Sequence, residues 1–200
     1  MKTTNCSLEK ISKIISVVFN PIFSLLIFYT YSQYQNPENF SFTKSLLPIL
    51  LGIILPIFLW IYFGVKKKKY TDSDVSNQKQ RNSLYYFIIS ILTIYQIWEF
   101  WIMDRFDIAI SCLLLLFIVM MISNFFVKSS MHTAFNLFVA ALFFSKNITI
   151  GVLWLFITIL VAITRIILKR HSTKEIIWGS CIALTISFLY LYLDIIIANQ

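Results

Sequence analysis

The chain has 200 residues, of which 58% are hydrophobic and 13% charged, and its net charge is +8. Soluble globular domains carry charge on about a quarter of their residues, so this composition excludes an ordinary soluble fold. The basic residues cluster in polar segments, above all at 66–69, without an interleaved basic and aromatic platform. This pattern is typical of cytoplasmic loops of membrane proteins and argues against nucleic-acid binding. Attraction to anionic membrane lipids is a second expected consequence.

Apolar stretches of about 20 residues, long enough to cross the hydrocarbon core of a bilayer, recur along the chain. The predicted spans are 11–31, 44–65, 84–103, 107–127, 148–168 and 175–197, with a shorter apolar stretch at about 131–145. We therefore expect an all-α integral membrane protein, with six to seven transmembrane helices in one bundle and a single transmembrane domain over 1–200. The first span lacks a small-residue cleavage site, which predicts a retained signal-anchor.

The strongest chemical pattern surrounds His171. Arg165 lies near the end of one predicted span, and His171 lies just before the next. A turn between the two helices allows both side chains to reach one oxyanion, and arginine is well suited to clamp phosphate. Glu175 can accept the imidazole N–H and orient the ring for nucleophilic attack. Two alternatives remain: Ser172 and Glu175 match a helix-capping box, and His171 is an interfacial histidine beside cations.

A second pattern surrounds His132, which follows the sequence Lys128-Ser129-Ser130-Met131. If a helix begins here, Ser129 or Ser130 can cap it while backbone N–H groups face an anion. His132 would then be placed to donate a proton to a leaving group. Taken alone, this short segment is better explained by a helix cap beside an interfacial cation.

Together the two patterns resemble the phosphatidic acid phosphatase type 2 superfamily of membrane lipid phosphatases. The resemblance lies in the order K-x-S-x-H, two helices, [S/T]-R-x5-H-x3-acid, and then Gly179, over roughly residues 128–182. It implies a phosphatase-like core at about 84–197. Four residues depart from the usual family pattern: Ser129 replaces a proline, Met131 a glycine, Thr164 a serine and Glu175 an aspartate.

The resemblance also implies a role for each matching residue. Three would be catalytic: the nucleophile that becomes a phosphohistidine, its orienting carboxylate and the general acid, which are His171, Glu175 and His132. Four would bind phosphoryl oxygens, namely Lys128, Ser130, Arg165 and, as a stand-in for an absent first motif, Arg81. For Arg81 the alternative is a basic residue of a cytoplasmic loop. The family requires no metal and no other cofactor.

Magnesium-dependent enzymes of lipid phosphates are a weaker fit. They need repeated aspartates on helices to hold Mg²⁺ through oxygen ligands. This chain offers Asp72-x-Asp74 and Asp104-x-x-Asp107, each alone and at a predicted loop. It also lacks the HExxH motif of zinc proteases.

These patterns predict a metal-independent lipid phosphate phosphohydrolase acting through a phosphohistidine. Its substrate would be a lipid phosphomonoester or diphosphate, such as phosphatidic acid, phosphatidylglycerol phosphate or a polyprenyl diphosphate. The alternative is a non-catalytic membrane protein that binds or transports a lipid phosphate or polyprenyl carrier. Because some bacterial branches of the superfamily look similar, we expect the protein in a bacterial cell (inner) membrane.

Overall fold

The computed structural model describes residues 2–35, 46–104 and 106–199, without the side chains of 2–6, 103 and 198. Every regular element in these ranges is a helix, which confirms the all-α prediction. In chain order the helices are α1 (Lys2–Val18), α2 (Pro21–Gln35), α3 (Leu47–Lys66), α4 (Gln78–Met103), α5 (Ile108–Asn124), α6 (Met131–Phe144), α7 (Ile148–Ile167) and α8 (Thr173–Ala198). A π-helical segment, Leu50–Ile54, lies within α3.

Among the described helices, α3, α4, α7 and α8 are long and apolar enough to cross a membrane. The pair α1 and α2 adds a fifth candidate if it forms one bent span. These helices support an integral membrane protein, but the predicted six to seven spans are not confirmed. The reason is length: with 17 and 14 residues, α5 and α6 extend only about 26 and 21 Å, less than the roughly 30 Å hydrocarbon core.

The first predicted span, 11–31, is divided into two helices that meet at an angle of 52°. Pro21 has no backbone N–H and therefore begins a new helix readily. The Asn20 side chain accepts the Ile22 N–H at 3.1 Å, as a capping residue does. The freed Phe19 carbonyl accepts a hydrogen bond from the Asn136 side chain at 2.9 Å. A side chain distant in sequence thus supplies the hydrogen bond that the Phe19 carbonyl lacks at the helix break, as is needed where water is scarce.

The residue contacts divide the chain into two compact units. The first unit contains residues 1–32 and 129–200, and α6 lies at its centre. Nearly all α6 side chains are buried, because α6 packs against both α7 and α8. α1 packs against α7, and Phe28 of α2 meets Phe143 of α6 edge-on with ring centres 5.2 Å apart. A helix so fully enclosed by protein does not need the length of a lipid-facing span.

The second unit contains residues 33–128, in which α5 packs along α4. Two of the four aspartates considered for Mg²⁺ have local structural roles here. Asp107 caps α5 by accepting the Ala109 N–H at 2.8 Å, and Asp72 accepts the Ser76 N–H at 3.1 Å. Within the described residues, no three His, Cys, Asp or Glu side chains are grouped as a metal site would require.

The lysine run of the second unit is exposed on an ordered turn. The four lysines at 66–69 are solvent-exposed, whereas Tyr70 is buried. The Tyr70 ring packs directly over Gly64, where a Cβ would have no room. Its hydroxyl accepts the Trp60 indole N–H at 2.7 Å. The four lysines therefore lie at and just after the end of α3 and are exposed.

Candidate functional site

The turn after α7 folds back and brings His171 to the last turn of that helix. Lys169 adopts a left-handed conformation with φ of 54°. The backbone N–H groups of Arg170 and His171 then donate to the Arg165 carbonyl at 3.0 and 3.3 Å. The turn thus brings the backbones of Arg165 and His171 into contact within the first unit, while the expectation that both side chains reach one oxyanion stays a prediction. Arg165 is completely buried, and His171 is 5% exposed.

The His171 ring is oriented by Glu175. Its Nδ1 lies 2.8 Å from Glu175 Oε2, and the His171 side chain is fully buried. Because an ionised carboxylate can only accept, a neutral imidazole that bonds to it through Nδ1 carries its hydrogen there and its lone pair on Nε2. That tautomer is the one a nucleophilic histidine requires.

Glu175 also completes the capping box of α8. The same Oε2 accepts the Ser172 N–H at 3.1 Å, while the Ser172 hydroxyl accepts the Glu175 N–H at 3.4 Å. The two alternatives for Glu175 are therefore compatible, because one oxygen serves the helix and the histidine together. Capping holds the carboxylate at the height of the imidazole.

Variants at these two positions separate the capping function from the orienting function. Ser172→Ala removes a cap and should lower stability by about 0.5–2 kcal/mol. Under the phosphatase activity that the sequence resemblance predicts, Ser172→Ala should reduce phosphate release far less than Glu175→Gln, because the carboxylate and the Ser172 N–H both remain. Glu175→Gln should slow release roughly 100-fold or more, since the amide no longer fixes the tautomer or stabilises an imidazolium. Thermal unfolding and phosphate release, measured on both variants, check this; equal losses of activity would contradict the orienting role.

Ser130 occupies the N-cap position of α6, but its hydroxyl does not cap the helix. The Ser130 hydroxyl is instead 3.1 Å from the Thr133 hydroxyl, and both residues are buried. Of the two serines expected to cap the helix, Ser130 therefore takes the N-cap position without a side-chain cap, because its hydroxyl bonds to Thr133. His132, in the first turn of α6, is 5% exposed. Met131 is the first helical residue and has no positive φ, so its backbone conformation does not require the family's glycine.

The two histidine-bearing turns touch each other. The Ser130 N–H donates to the Glu175 carbonyl at 3.1 Å. One turn later, Gly179 lies against the same segment: a Cβ at Gly179 would stand 3.1 Å from both the N and the O of Ser130. The missing side chain at Gly179 allows α8 to approach the start of α6. A glycine in the sequence pattern thus has a packing explanation.

This close approach predicts the effect of Gly179→Ala. Alanine gains about 1 kcal/mol of helix propensity, but overpacking against backbone costs about 1–3 kcal/mol. We expect a net loss of stability and, because the two turns separate, a loss of activity. Gly52→Ala is the matched control: its Cβ would meet a Tyr95 ring carbon at the same 3.1 Å. The Tyr95 side chain can move aside, whereas the Ser130 backbone cannot. A larger loss of stability in Gly52→Ala than in Gly179→Ala would therefore contradict the packing explanation for Gly179.

Arg165 is held by a residue that the sequence patterns did not identify. Its Nη1 donates to the Ser16 hydroxyl of α1 at 2.9 Å, and Ser16 is buried. The neighbouring Thr164 hydroxyl bonds to the Val161 carbonyl at 2.7 Å, an ordinary helix contact. The only sequence signal for Ser16 was the four-residue spacing from Ser12, which places both on one face of α1.

Asn136 is the second residue missed. It is completely buried, one turn after His132. Its Nδ2 donates to the carbonyls of Phe19 and His132, each at 2.9 Å, and its Oδ1 accepts from the Ser24 hydroxyl at 2.8 Å. Asn136 therefore joins the break between α1 and α2 to the turn that carries His132.

The remaining predicted ligands, Lys128 and Arg81, belong to the second unit. Lys128 is half-buried. Arg81 is only 1% exposed, and its Nε donates to the Val75 carbonyl at 2.9 Å, where Val75 has a left-handed φ of 46°. Arg81 is thus an enclosed residue of the first turn of α4, where it braces the preceding loop. Phosphate binding by Arg81 and Lys128 stays a prediction.

Comparison with known proteins adds no relative. No family model matches the chain, and no curated protein or solved structure matches it. The likeness to the phosphatase superfamily therefore depends on the motif spacing and on the geometry of the first unit. Membership in that superfamily stays a prediction.

Proposed function

We propose that the protein is a membrane lipid phosphatase that hydrolyses a lipid phosphomonoester or diphosphate through a phosphohistidine. The observation that carries the proposal is the 2.8 Å contact between His171 Nδ1 and Glu175. The buried Arg165 lies on the same turn, and the Ser130 segment lies against Glu175. These contacts support His171 as the proposed nucleophile, Glu175 as its orienting acid and Arg165 as the proposed phosphate-binding cation.

In the proposed first step, the lone pair of His171 Nε2 attacks phosphorus and forms a P–N bond. The P–O bond to the lipid breaks, and protonated His132 donates its proton to the departing oxygen. Arg165 and Ser130 stabilise the charge on the phosphoryl oxygens. The Glu175 carboxylate stabilises the positive charge that forms on the imidazole.

In the second step, His132, now neutral, takes a proton from water, and the resulting oxygen nucleophile attacks phosphorus. The P–N bond breaks, its electron pair returns to His171, and inorganic phosphate leaves. This route needs no metal. The candidate substrates are phosphatidic acid, phosphatidylglycerol phosphate and polyprenyl diphosphates, and the proposed location is the bacterial inner membrane.

The purified protein in detergent micelles tests this proposal through phosphate release from these lipids. We expect release that persists in EDTA and is inhibited by orthovanadate, an analogue of the phosphoryl group in transfer. No release from any of these lipids, or release that depends strictly on a divalent metal, contradicts the proposal.

A second candidate function is non-catalytic binding or transport of a lipid phosphate or polyprenyl carrier. It is favoured by the hydrogen bonds that Ser130 and Arg165 already make with Thr133 and Ser16. A Met131→Gly, Glu175→Asp double variant discriminates between the two functions. If the parent protein is inert and the double variant gains no hydrolysis, binding or transport is the better assignment.

A further inference from the structure

The N-terminal helix pair, α1 and α2, is hydrogen-bonded to the candidate site at two points. Ser16 of α1 accepts a hydrogen bond from Arg165, 149 residues away in sequence. Three residues later, the Phe19 carbonyl accepts from Asn136, which also holds the His132 carbonyl. Both hydrogen bonds lie within the first unit, and each involves buried polar groups. These contacts therefore fix the position of the break between α1 and α2 relative to the turns that carry His132 and His171.

Packing around the break fixes the register of α1 against α7. The Phe19 ring meets the Trp154 ring edge-on, with centres 5.8 Å apart. Ser12 and Ser16, both buried, face inward from successive turns of α1, while the lysines at 10 and 13 are exposed. The apolar contact and the Asn136 bond thus bring one hydroxyl, that of Ser16, to the guanidinium.

A hydrogen bond to one Nη restricts the whole Arg165 head group. The guanidinium is planar and delocalised, so holding one nitrogen fixes the plane in which the others point. Arg165 is completely buried and Ser16 is 6% exposed, so bulk water has little access to replace a lost hydroxyl. Phosphoryl transfer depends on such orientation, because small displacements of a clamping cation slow the reaction strongly.

We propose that Ser16 is a positioning residue, whose hydroxyl sets the direction of the Arg165 guanidinium for the phosphoryl group. This inference rests on the proposed phosphatase function and makes the N-terminal helix a part of the site. Ser16 does not touch the substrate in this account. Its influence reaches the reaction only through Arg165.

The test compares Ser16→Ala, Ser16→Thr and Ser12→Ala in purified full-length protein. Ser12 is buried one turn away on the same helix, so Ser12→Ala controls for the loss of a buried hydroxyl. We expect Ser16→Ala to lower kcat about 10- to 100-fold, as for a lost charge-assisted hydrogen bond, with a smaller change in KM. Orthovanadate inhibition should weaken in parallel. Ser16→Thr should restore much of the activity, and Ser12→Ala should resemble the parent.

Each outcome separates the positioning role from the function it rests on. If the parent hydrolyses lipid phosphates but Ser16→Ala behaves like Ser12→Ala, the positioning role is overturned and the phosphatase function stands. If the parent binds phosphatidic acid without hydrolysing it, and Ser16→Ala alone weakens that binding, Ser16 positions Arg165 in a binding protein. If the parent neither hydrolyses nor binds phosphatidic acid, phosphatidylglycerol phosphate or polyprenyl diphosphate, both proposals fail.

Discussion

His171→Ala is expected to abolish phosphate release from lipid phosphates, with a loss of roughly 1,000-fold or more, because the variant has no nucleophile to form the P–N bond. Expression and thermal unfolding should change little by comparison. The imidazole is buried, but its principal partner, Glu175, still holds the capping box through the Ser172 N–H at 3.1 Å. The measurement is phosphate release from detergent-solubilised protein at saturating lipid.

Lys174→Ala provides the matched control for this variant. Lys174 lies in the first turn of α8, directly before Glu175 in the sequence, and it is exposed. It should retain activity close to that of the parent. A His171→Ala protein that keeps activity within about tenfold of Lys174→Ala contradicts the assignment of His171 as nucleophile.

Arg165→Met is expected to separate activity from stability. A completely buried guanidinium is costly in a membrane helix, and an apolar residue of similar size often replaces a buried charge without loss of stability. We therefore expect an unchanged or higher unfolding temperature. Activity should fall about 100- to 1,000-fold, because Arg165 is the proposed main stabilising cation of the phosphoryl charge.

Arg165→Lys tests the same residue by a second route. Lysine keeps the positive charge but lacks the planar fork that bonds to Ser16 and to two phosphoryl oxygens together. Its activity should lie between that of the parent and that of Arg165→Met. If both variants unfold at much lower temperature and lose activity in proportion, Arg165 has a structural role, and its assignment as a phosphate ligand is wrong.

The local parts of the candidate site could be predicted from the sequence. The contact of His171 with Glu175 follows from their four-residue spacing at the start of α8, and the capping box follows from Ser172. The nearness of Arg165 and His171 follows from a short turn between two apolar segments. Each of these features depends on a few consecutive residues, so the chain itself largely determines the geometry.

The contacts that join distant segments could not be predicted. Ser16 is one serine of an amphipathic helix until the fold brings Arg165 to it. Asn136 lies in an apolar segment and gives no sign that it satisfies a carbonyl at the α1–α2 break. The burial of Arg81 could not be predicted either, because a cation near a lysine-rich loop has the same sequence pattern whether it is solvated or enclosed by protein.

The number of transmembrane spans could not be predicted for a similar reason. Pro21 is tolerated inside transmembrane helices when other groups satisfy the backbone, so hydropathy alone predicts one span where the structure has two helices. The 14 residues of α6 are as apolar as a span, but they are enclosed by neighbouring helices. Hydropathy reports the polarity of a segment and does not distinguish lipid from protein as its surroundings.

The most direct test of the account is to trap the covalent intermediate. Protein mixed with ³²P-labelled phosphatidic acid is quenched in alkali, where phosphohistidine survives and phosphoaspartate and phosphoglutamate do not, and the labelled peptide is mapped by mass spectrometry. The account predicts a phosphate on His171 in the parent and none in His171→Ala. Active protein that carries no label at His171, or that carries it on another residue, would contradict the account.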